Sequence, residues 1–233
     1  MKIAIMQPYF FPYIGYWQLI NSVDKFVIYD DVNYIKGGWI NRNRILLGGS
    51  AHFINMYMNG ASSNKRINEI DLDKNTHMIN KNLKMLQSAY KDAPCFNNIF
   101  PILEKTISYV NVNNIAEYLE NIIREISGYL EISTEIVISS NLKKNNNLKA
   151  QDKVIDICKI LKADEYVNAV GGQNLYSRED FAREGIKLKF INTDLIVYKQ
   201  YDNNFVKDLS IIDVLMFNSK EKVKMLLNAC CFI

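Results

Sequence analysis

The segment Gln7-Pro8-Tyr9-Phe10-Phe11-Pro12-Tyr13-Ile14-Gly15-Tyr16 holds the densest set of groups that could engage a ligand. Gln7, Tyr9, Tyr13 and Tyr16 offer hydrogen bonds, and Gly15 lets a ligand or a neighbouring backbone approach closely. The segment follows a short apolar run, Lys2–Met6, and Tyr16, Leu19 and Ile20 then fall at helical spacing. A helix is therefore expected to start near Pro12, since proline is tolerated in a first turn. The unpaired N–H groups and partial positive charge of such a helix start form a ready anion site. The plain alternative is an aromatic loop packed over the core.

Asp30-Asp31 closes the next apolar run, Lys25–Tyr29. Such a carboxylate could accept a ribose hydroxyl, orient an amine, or hold Mg²⁺ together with phosphates. Neighbours on a strand point to opposite faces, so the two need not share a site, and a solvated turn is equally compatible. Next comes Lys36-Gly37-Gly38-Trp39-Ile40-Asn41-Arg42-Asn43-Arg44. Arginine suits two-point phosphate contact and Trp39 could stack on a base. No Lys-Ser/Thr follows a spaced glycine pair, so this is not a Walker A loop, and a solvated basic arm is the alternative. His77 stands alone at the polar start of a helical region, and a lone histidine is more often structural than catalytic. Lys91 follows Tyr90 at a helix end, where a cation favours the dipole. Gly171-Gly172 follows a strand and precedes a helix, a second loop that could face substrate. Cys95, Cys158, Cys230 and Cys231 have neither metal-ligand spacing nor a disulfide framework, and with two histidines no metal site is expected. No Gly-x-Ser-x-Gly elbow occurs.

The elements that must carry these groups alternate. Strands are expected at Lys2–Met6, Phe26–Tyr29, Glu135–Ser139, Glu165–Val170 and Leu188–Ile191, with a hairpin at Ile45–Leu47 and His52–Met56 around Gly48-Gly49. Helices are expected at Asp152–Leu161, after Ser177 and at Ser210–Met216, and a helical stretch at 75–130, interrupted at Pro94 and Pro101. Strand, loop, helix, strand implies a βαβ unit and a parallel sheet, with ligands outside the carboxyl ends of its strands. The expectation is an α/β fold, one domain over residues 1–233 with a mainly helical insertion at about 75–130. Gln7, Tyr9, Tyr16 and Asp31 are expected to converge on one pocket at the carboxyl edge of the first two strands. A net charge of +3 is too mild for a nucleic-acid partner. No signal-peptide pattern or spanning apolar run appears, so a cytoplasmic protein without membrane insertion and with reduced cysteines is expected.

With Met6–Tyr16, Asp30-Asp31-Val32-Asn33-Tyr34, Lys36–Asn43, Tyr90-Lys91-Asp92-Ala93-Pro94 and Leu209-Ser210-Ile211-Ile212-Asp213, the chain resembles the WbqC-like family over almost its whole length. That family is associated with O-antigen and lipopolysaccharide gene clusters. The resemblance implies a transferase that attaches an amino acid, glycine, or an activated acyl donor to the amino group of a nucleotide-linked sugar such as dTDP-4-amino-4,6-dideoxyglucose. A non-catalytic nucleotide-sugar binding protein and a nucleic-acid-modifying transferase are the alternatives. More distantly, strand, Tyr13-Ile14-Gly15-Tyr16, helix looks like the His-x-Gly-His arrangement of nucleotidyltransferase-like (HUP-type) folds, which bind ATP with Mg²⁺. Tyrosines replace both histidines here and carry no positive charge at neutral pH, so neutralising phosphate would fall to Lys36, Arg42 or Arg44. On this reading Asp31 orients the amine or takes its proton, Lys36 and Arg42 stabilise phosphate or an acyl oxyanion, and His77 is a further catalytic candidate. Gln7, Tyr9, Tyr13, Tyr16, Asp30, Tyr34, Trp39, Asn41, Asn43, Tyr90, Lys91 and Gly172 are the candidate substrate contacts.

Overall fold

A computed structural model describes residues 1–194, 196–201 and 204–233. In chain order the elements are β1 (Lys2–Met6), α1 (Ile14–Asn21), β2 (Lys25–Ile28), β3 (Arg42–Leu47), β4 (Ser50–Asn55), β5 (Met58–Asn59), β6 (Asp71–Leu72), α2 (Thr76–Tyr90), α3 (Phe96–Ile107) and α4 (Ile115–Tyr129). They continue with β7 (Glu135–Ile138), α5 (Ala150–Ile160), β8 (Glu165–Ala169), α6 (Arg178–Arg183), β9 (Lys187–Thr193), α7 (Ile211–Phe217), α8 (Lys220–Leu226) and β10 (Cys230–Phe232).

The central sheet has the order β10-β9-β8-β1-β2-β7, parallel except for β10, which runs antiparallel to β9. The chain steps outward from β1 through β2 to β7, then returns to the other side of β1 and steps outward again through β8 to β9. The direction of winding thus reverses between β1 and β8, where a crevice opens at the carboxyl edge of a doubly wound sheet. Both faces of the sheet are covered, which explains why the central strands β1 and β2 are short apolar runs rather than alternating ones. Ala4, Phe26 and Ile28 enter the larger buried cluster, with α1 to α4, α7 and α8. Ile3, Ile5 and Val27 enter the smaller one, with α5 and α6. Each of the larger of these side chains, the phenylalanine, valine and isoleucines, is worth roughly 1.5–3 kcal/mol when fully buried.

The insertion helices form for local reasons. Asn114 caps α4 by accepting from the Glu117 N–H at 3.0 Å, and Ile115, Leu119, Ile122, Ile123 and Ile126 bury one stripe. Asn75 caps α2 in the same way, through the His77 N–H. Pro94 separates α2 from α3 as expected, but Pro101 lies inside α3 and does not interrupt it. It removes one hydrogen bond, to the Asn97 carbonyl, and both residues are exposed, so water can take the donor's place. The hairpin differs as well. Strand β3 begins at Arg42, so Arg42-Asn43-Arg44 belongs to a paired strand rather than to a free arm. Helix α8, the edge strand β10 and the small β5–β6 pair add to the expected elements. Among the described residues no helix is long and apolar enough to cross a membrane.

Candidate functional site

The loop between β1 and α1 is held from three directions. Phe10 N–H donates to the Trp39 carbonyl at 3.0 Å. Asn43 Nδ2 donates to the Phe10 and Phe11 carbonyls at 3.0 and 2.9 Å. Ser210 Oγ, at the cap of α7, donates to the Phe11 carbonyl at 2.7 Å, while Ile211 N–H and Trp17 Nε1 both reach the Pro12 carbonyl. Phe11 sits at φ 41°, costly for a bulky residue, and these bonds hold it there.

Beside this loop, at the crevice between β1 and β8, lies a cavity of about 470 Å³. Its walls come from Met6, the loop and α1 (Tyr9, Tyr13, Gly15, Tyr16), from Trp39 and β3 (Asn43, Arg44), and from the ends of β8 and β9 (Ala169, Asn192, Thr193) with Asp208. That is within the usual size range of small-molecule sites. Gly15 is required by contact: a Cβ there would lie 2.7 Å from Thr193 Oγ1 and 2.9 Å from the Tyr13 ring. The Tyr16 hydroxyl donates to the Gln7 carbonyl at 3.0 Å, and the Tyr9 and Tyr16 rings lie 5.6 Å apart. Burial raises the phenol pKa of Tyr9, that of Tyr13 with help from the Asp208 carboxylate, and that of Tyr16 well above its ordinary value. All three are thus neutral hydrogen-bond donors and not bases at neutral pH.

Charge enters this wall through one side chain of each sign among the described lining residues, Arg44 and Asp208. Arg44 donates through Nη2 to the Asp208 carbonyl at 2.9 Å, and its guanidinium lies 5.6 Å from the Trp39 ring centre. Its buried Nε has no acceptor among the described residues. Trp39 in turn packs against Phe53, and the Arg42 guanidinium lies 4.7 Å from the Phe53 ring centre. Arg42 donates to the Gly37 and Gly38 carbonyls and does not line the cavity. Lys36 is exposed on the same loop.

The expected convergence with Asp31 does not occur. Asp30 and Asp31 point to opposite faces just past β2. Asp31 is buried on the α5 side, accepting from Ser139 Oγ at 2.7 Å, Lys144 Nζ at 2.9 Å and Lys153 Nζ at 3.0 Å. Burial alone would raise its pKa, but Ser139 and the two lysines hold the carboxyl below its ordinary value. Asp30 accepts from Ser140 N–H and Oγ and from Asn68 Nδ2, beside a separate cleft of about 290 Å³. The remaining candidates lie apart from the cavity wall. Gln7 contributes its carbonyl to Tyr16, and Tyr34 donates to Asn41 Oδ1, whose Nδ2 reaches the Met56 carbonyl. Tyr90 is fully buried, His77 and Lys91 are exposed at opposite ends of α2, and Gly172 packs on Asn168.

Sequence reasoning missed Asp208, Asn192 and Thr193 as wall residues. It noted Arg44 only as one of three cations; its spacing of two from Arg42 offered no way to choose between them. No group of three or more His, Cys, Asp or Glu side chains that could hold a metal is present among the described residues.

In comparisons with known proteins, the chain is 28% identical over 219 residues to the uncharacterized protein Rv1507c of Mycobacterium tuberculosis (strain ATCC 25618 / H37Rv), covering 93% of each chain. No solved structure matches it. The model of the WbqC-like protein family matches residues 7–225, which include the cavity loop, the hairpin, β8, β9 and α7. The chain belongs to the WbqC-like protein family.

Proposed function

We propose that the protein is a transferase of bacterial surface-glycan biosynthesis that forms an amide between glycine and the amino group of a nucleotide-linked sugar such as dTDP-4-amino-4,6-dideoxyglucose. The observation that carries this reading is the cavity at the winding reversal, with Tyr9, Tyr13, Tyr16 and Trp39, a helix start and, among the described lining residues, a single guanidinium on its wall. The phosphates would sit at the start of α1 and on Arg44, whose Nε is a buried donor in want of an acceptor. Trp39 and Tyr9 offer flat faces for the base, and the neutral phenols of Tyr9 and Tyr13 offer donors to sugar hydroxyls, the Tyr16 proton being held by the Gln7 carbonyl. Membership in the family supports the same substrate class.

The strand order and the placement of Tyr13-Ile14-Gly15-Tyr16 after β1 are in keeping with a nucleotidyltransferase-like (HUP-type) core. ATP, arriving with Mg²⁺, is the corresponding source of acyl activation. The described residues offer Mg²⁺ one carboxylate at the cavity, that of Asp208, so the phosphates themselves would supply most of its ligands. In the bond-forming step the neutral sugar amine attacks the activated glycyl carbonyl, the C–N bond forms, the activating group departs, and a base takes the amine proton. Asp208 is the carboxylate on the wall that can do so.

Incubation with the dTDP-linked 4-amino sugar, glycine and ATP–Mg²⁺, followed by mass spectrometry, tests the reading. A glycyl adduct with release of AMP or ADP is expected. Binding of the sugar nucleotide without any adduct, under conditions where the protein is folded, would overturn the transferase assignment in favour of a binding protein.

A further inference from the structure

Tyr90 and Asp213 meet in the core, and neither lines the cavity. Asp213, on α7, is fully buried. Its Oδ1 accepts from the Tyr90 hydroxyl at 2.9 Å, and its Oδ2 from the Tyr198 hydroxyl at 2.6 Å and from Gln200 Nε2 at 2.8 Å. The Tyr90 oxygen already accepts from the Leu46 N–H at 2.9 Å, so its one proton goes to Asp213. Among the described residues, three donors and no cation surround the carboxylate. The nearest helices and strand spend their charges elsewhere: Lys105 of α3 pairs with Glu125, Lys220 and Lys224 of α8 pair with Glu131, and Arg42 and Arg44 of β3 bind carbonyls. Glu104 of α3, Glu221 and Lys222 of α8, Lys84 and Lys91 of α2, and Lys199 and Lys207 of the segment that carries Tyr198 and Gln200 are exposed. Of the titratable groups that face it, Tyr90, Tyr198 and Tyr201 are all neutral phenols whose pKa is raised, by burial first.

A buried carboxylate with neutral partners is costly, and an apolar residue would serve packing better. What it holds gives the reason. One branch runs through Gln200, which grips both the N–H and the carbonyl of Val206, at 2.8 and 3.0 Å. Two residues on, the Asp208 carbonyl accepts from Arg44. The other branch runs through Tyr90 to Leu46, two residues after Arg44 on β3. The guanidinium is thus held from its carbonyl partner and from its own strand, and both lines end on the same carboxylate.

We propose that Asp213 is a positioning residue for Arg44, its ionised carboxylate holding the guanidinium against Trp39 on the cavity wall. As a regulatory consequence for that site, acid releases the hold: when Asp213 takes a proton, one of its donors loses its acceptor and the Arg44 contact loosens. Burial raises the Asp213 pKa against the opposing pull of its three donors, so the release comes at a higher pH than for an ordinary aspartate. The assignment of Arg44 as the phosphate contact rests on the function proposed above; its position against Trp39 does not.

Two readouts separate these. The first is the part of the tryptophan emission that disappears in Trp39→Phe, followed from pH 8 to pH 4 in the full chain. It is expected to titrate with a midpoint above ordinary aspartate, to titrate likewise in Asp208→Asn, and to be flat in Asp213→Asn. The second is the calorimetric affinity for dTDP-glucose, whose phosphates do not titrate in this range. About tenfold weaker binding is expected for Asp213→Asn at pH 7.5, with a smaller loss for Tyr198→Phe, which removes one bond and keeps the ring. If Asp213→Asn merely melts earlier while its Trp39 emission and its affinity match the parent, the residue is structural only and the proposal fails. A titration that persists in Asp213→Asn and vanishes in Asp208→Asn also overturns it. If the parent protein does not bind dTDP-glucose, the substrate reading falls, and the emission titration still decides the positioning role.

Discussion

Replacing Asp31 by asparagine removes the negative charge from a buried cluster that holds two ammonium groups. The Lys144 and Lys153 side chains are 1% and 9% exposed, and the Asp31 side chain 4%. With the carboxylate present the cluster carries one positive charge in excess; without it, two cations face each other with a neutral amide. Removing one partner of a buried pair costs about 3–5 kcal/mol, because the charge left behind has no compensation. Urea unfolding at pH 7 should therefore show a loss of about 3–5 kcal/mol in Asp31→Asn, a large part of the ~5–15 kcal/mol by which such domains are stable. Adding Lys144→Met should return part of it. The pH dependence follows from the same contacts. The folded carboxyl titrates below its unfolded value of about 3.9, so its stabilising effect is fully present above that value and disappears as pH falls through the folded one. The acid limb of the stability profile should be flatter in the variant. A loss below about 1 kcal/mol with an unchanged acid limb would refute the reasoning, since it would mean that the lysines are solvated.

Arg44→Ala should weaken binding of dTDP-glucose by about 1.5–3 kcal/mol, the worth of a hydrogen bond to a charged group, whereas Arg42→Ala should leave the affinity within a factor of about three; calorimetric titration of both checks this. Gly15→Ala places a methyl group 2.7 Å from Thr193 Oγ1, and should cost about 1–3 kcal/mol of stability by overpacking and reduce ligand affinity as well. Its combination with Thr193→Ala should recover part of the stability in thermal unfolding, because the Tyr13 ring still lies 2.9 Å from the added carbon.

Periodicity and breakers in the sequence settle much of this molecule locally. The runs Lys2–Met6 and Phe26–Ile28 are strands because they are short, apolar and bounded by breakers, and α4 is a helix because Asn114 precedes a stripe of isoleucine and leucine at helical spacing. The proline-flanked loop between strand and helix places Tyr9, Tyr13, Gly15 and Tyr16 at the carboxyl edge of the sheet, where they line the cavity, and the motifs carry the family. Which strands flank that loop is a different matter. The cavity opens between β1 and β8 because the chain crosses back past β1 after β7, and this pairing joins residues some 160 positions apart, which no local pattern records. That crossover brings Thr193 and Asp208 to the wall and leaves Asp31 on the other side, among lysines. The choice of Arg44 over Arg42 has the same origin. Both project from one face of β3, and only the packing of Asp208 and Trp39 against the second makes it the cation of the site. Tyr90 and Asp213 stand in two separate motifs of the sequence, 123 residues apart, and only the packing of α2 and α7 against β3 joins them in one hydrogen bond.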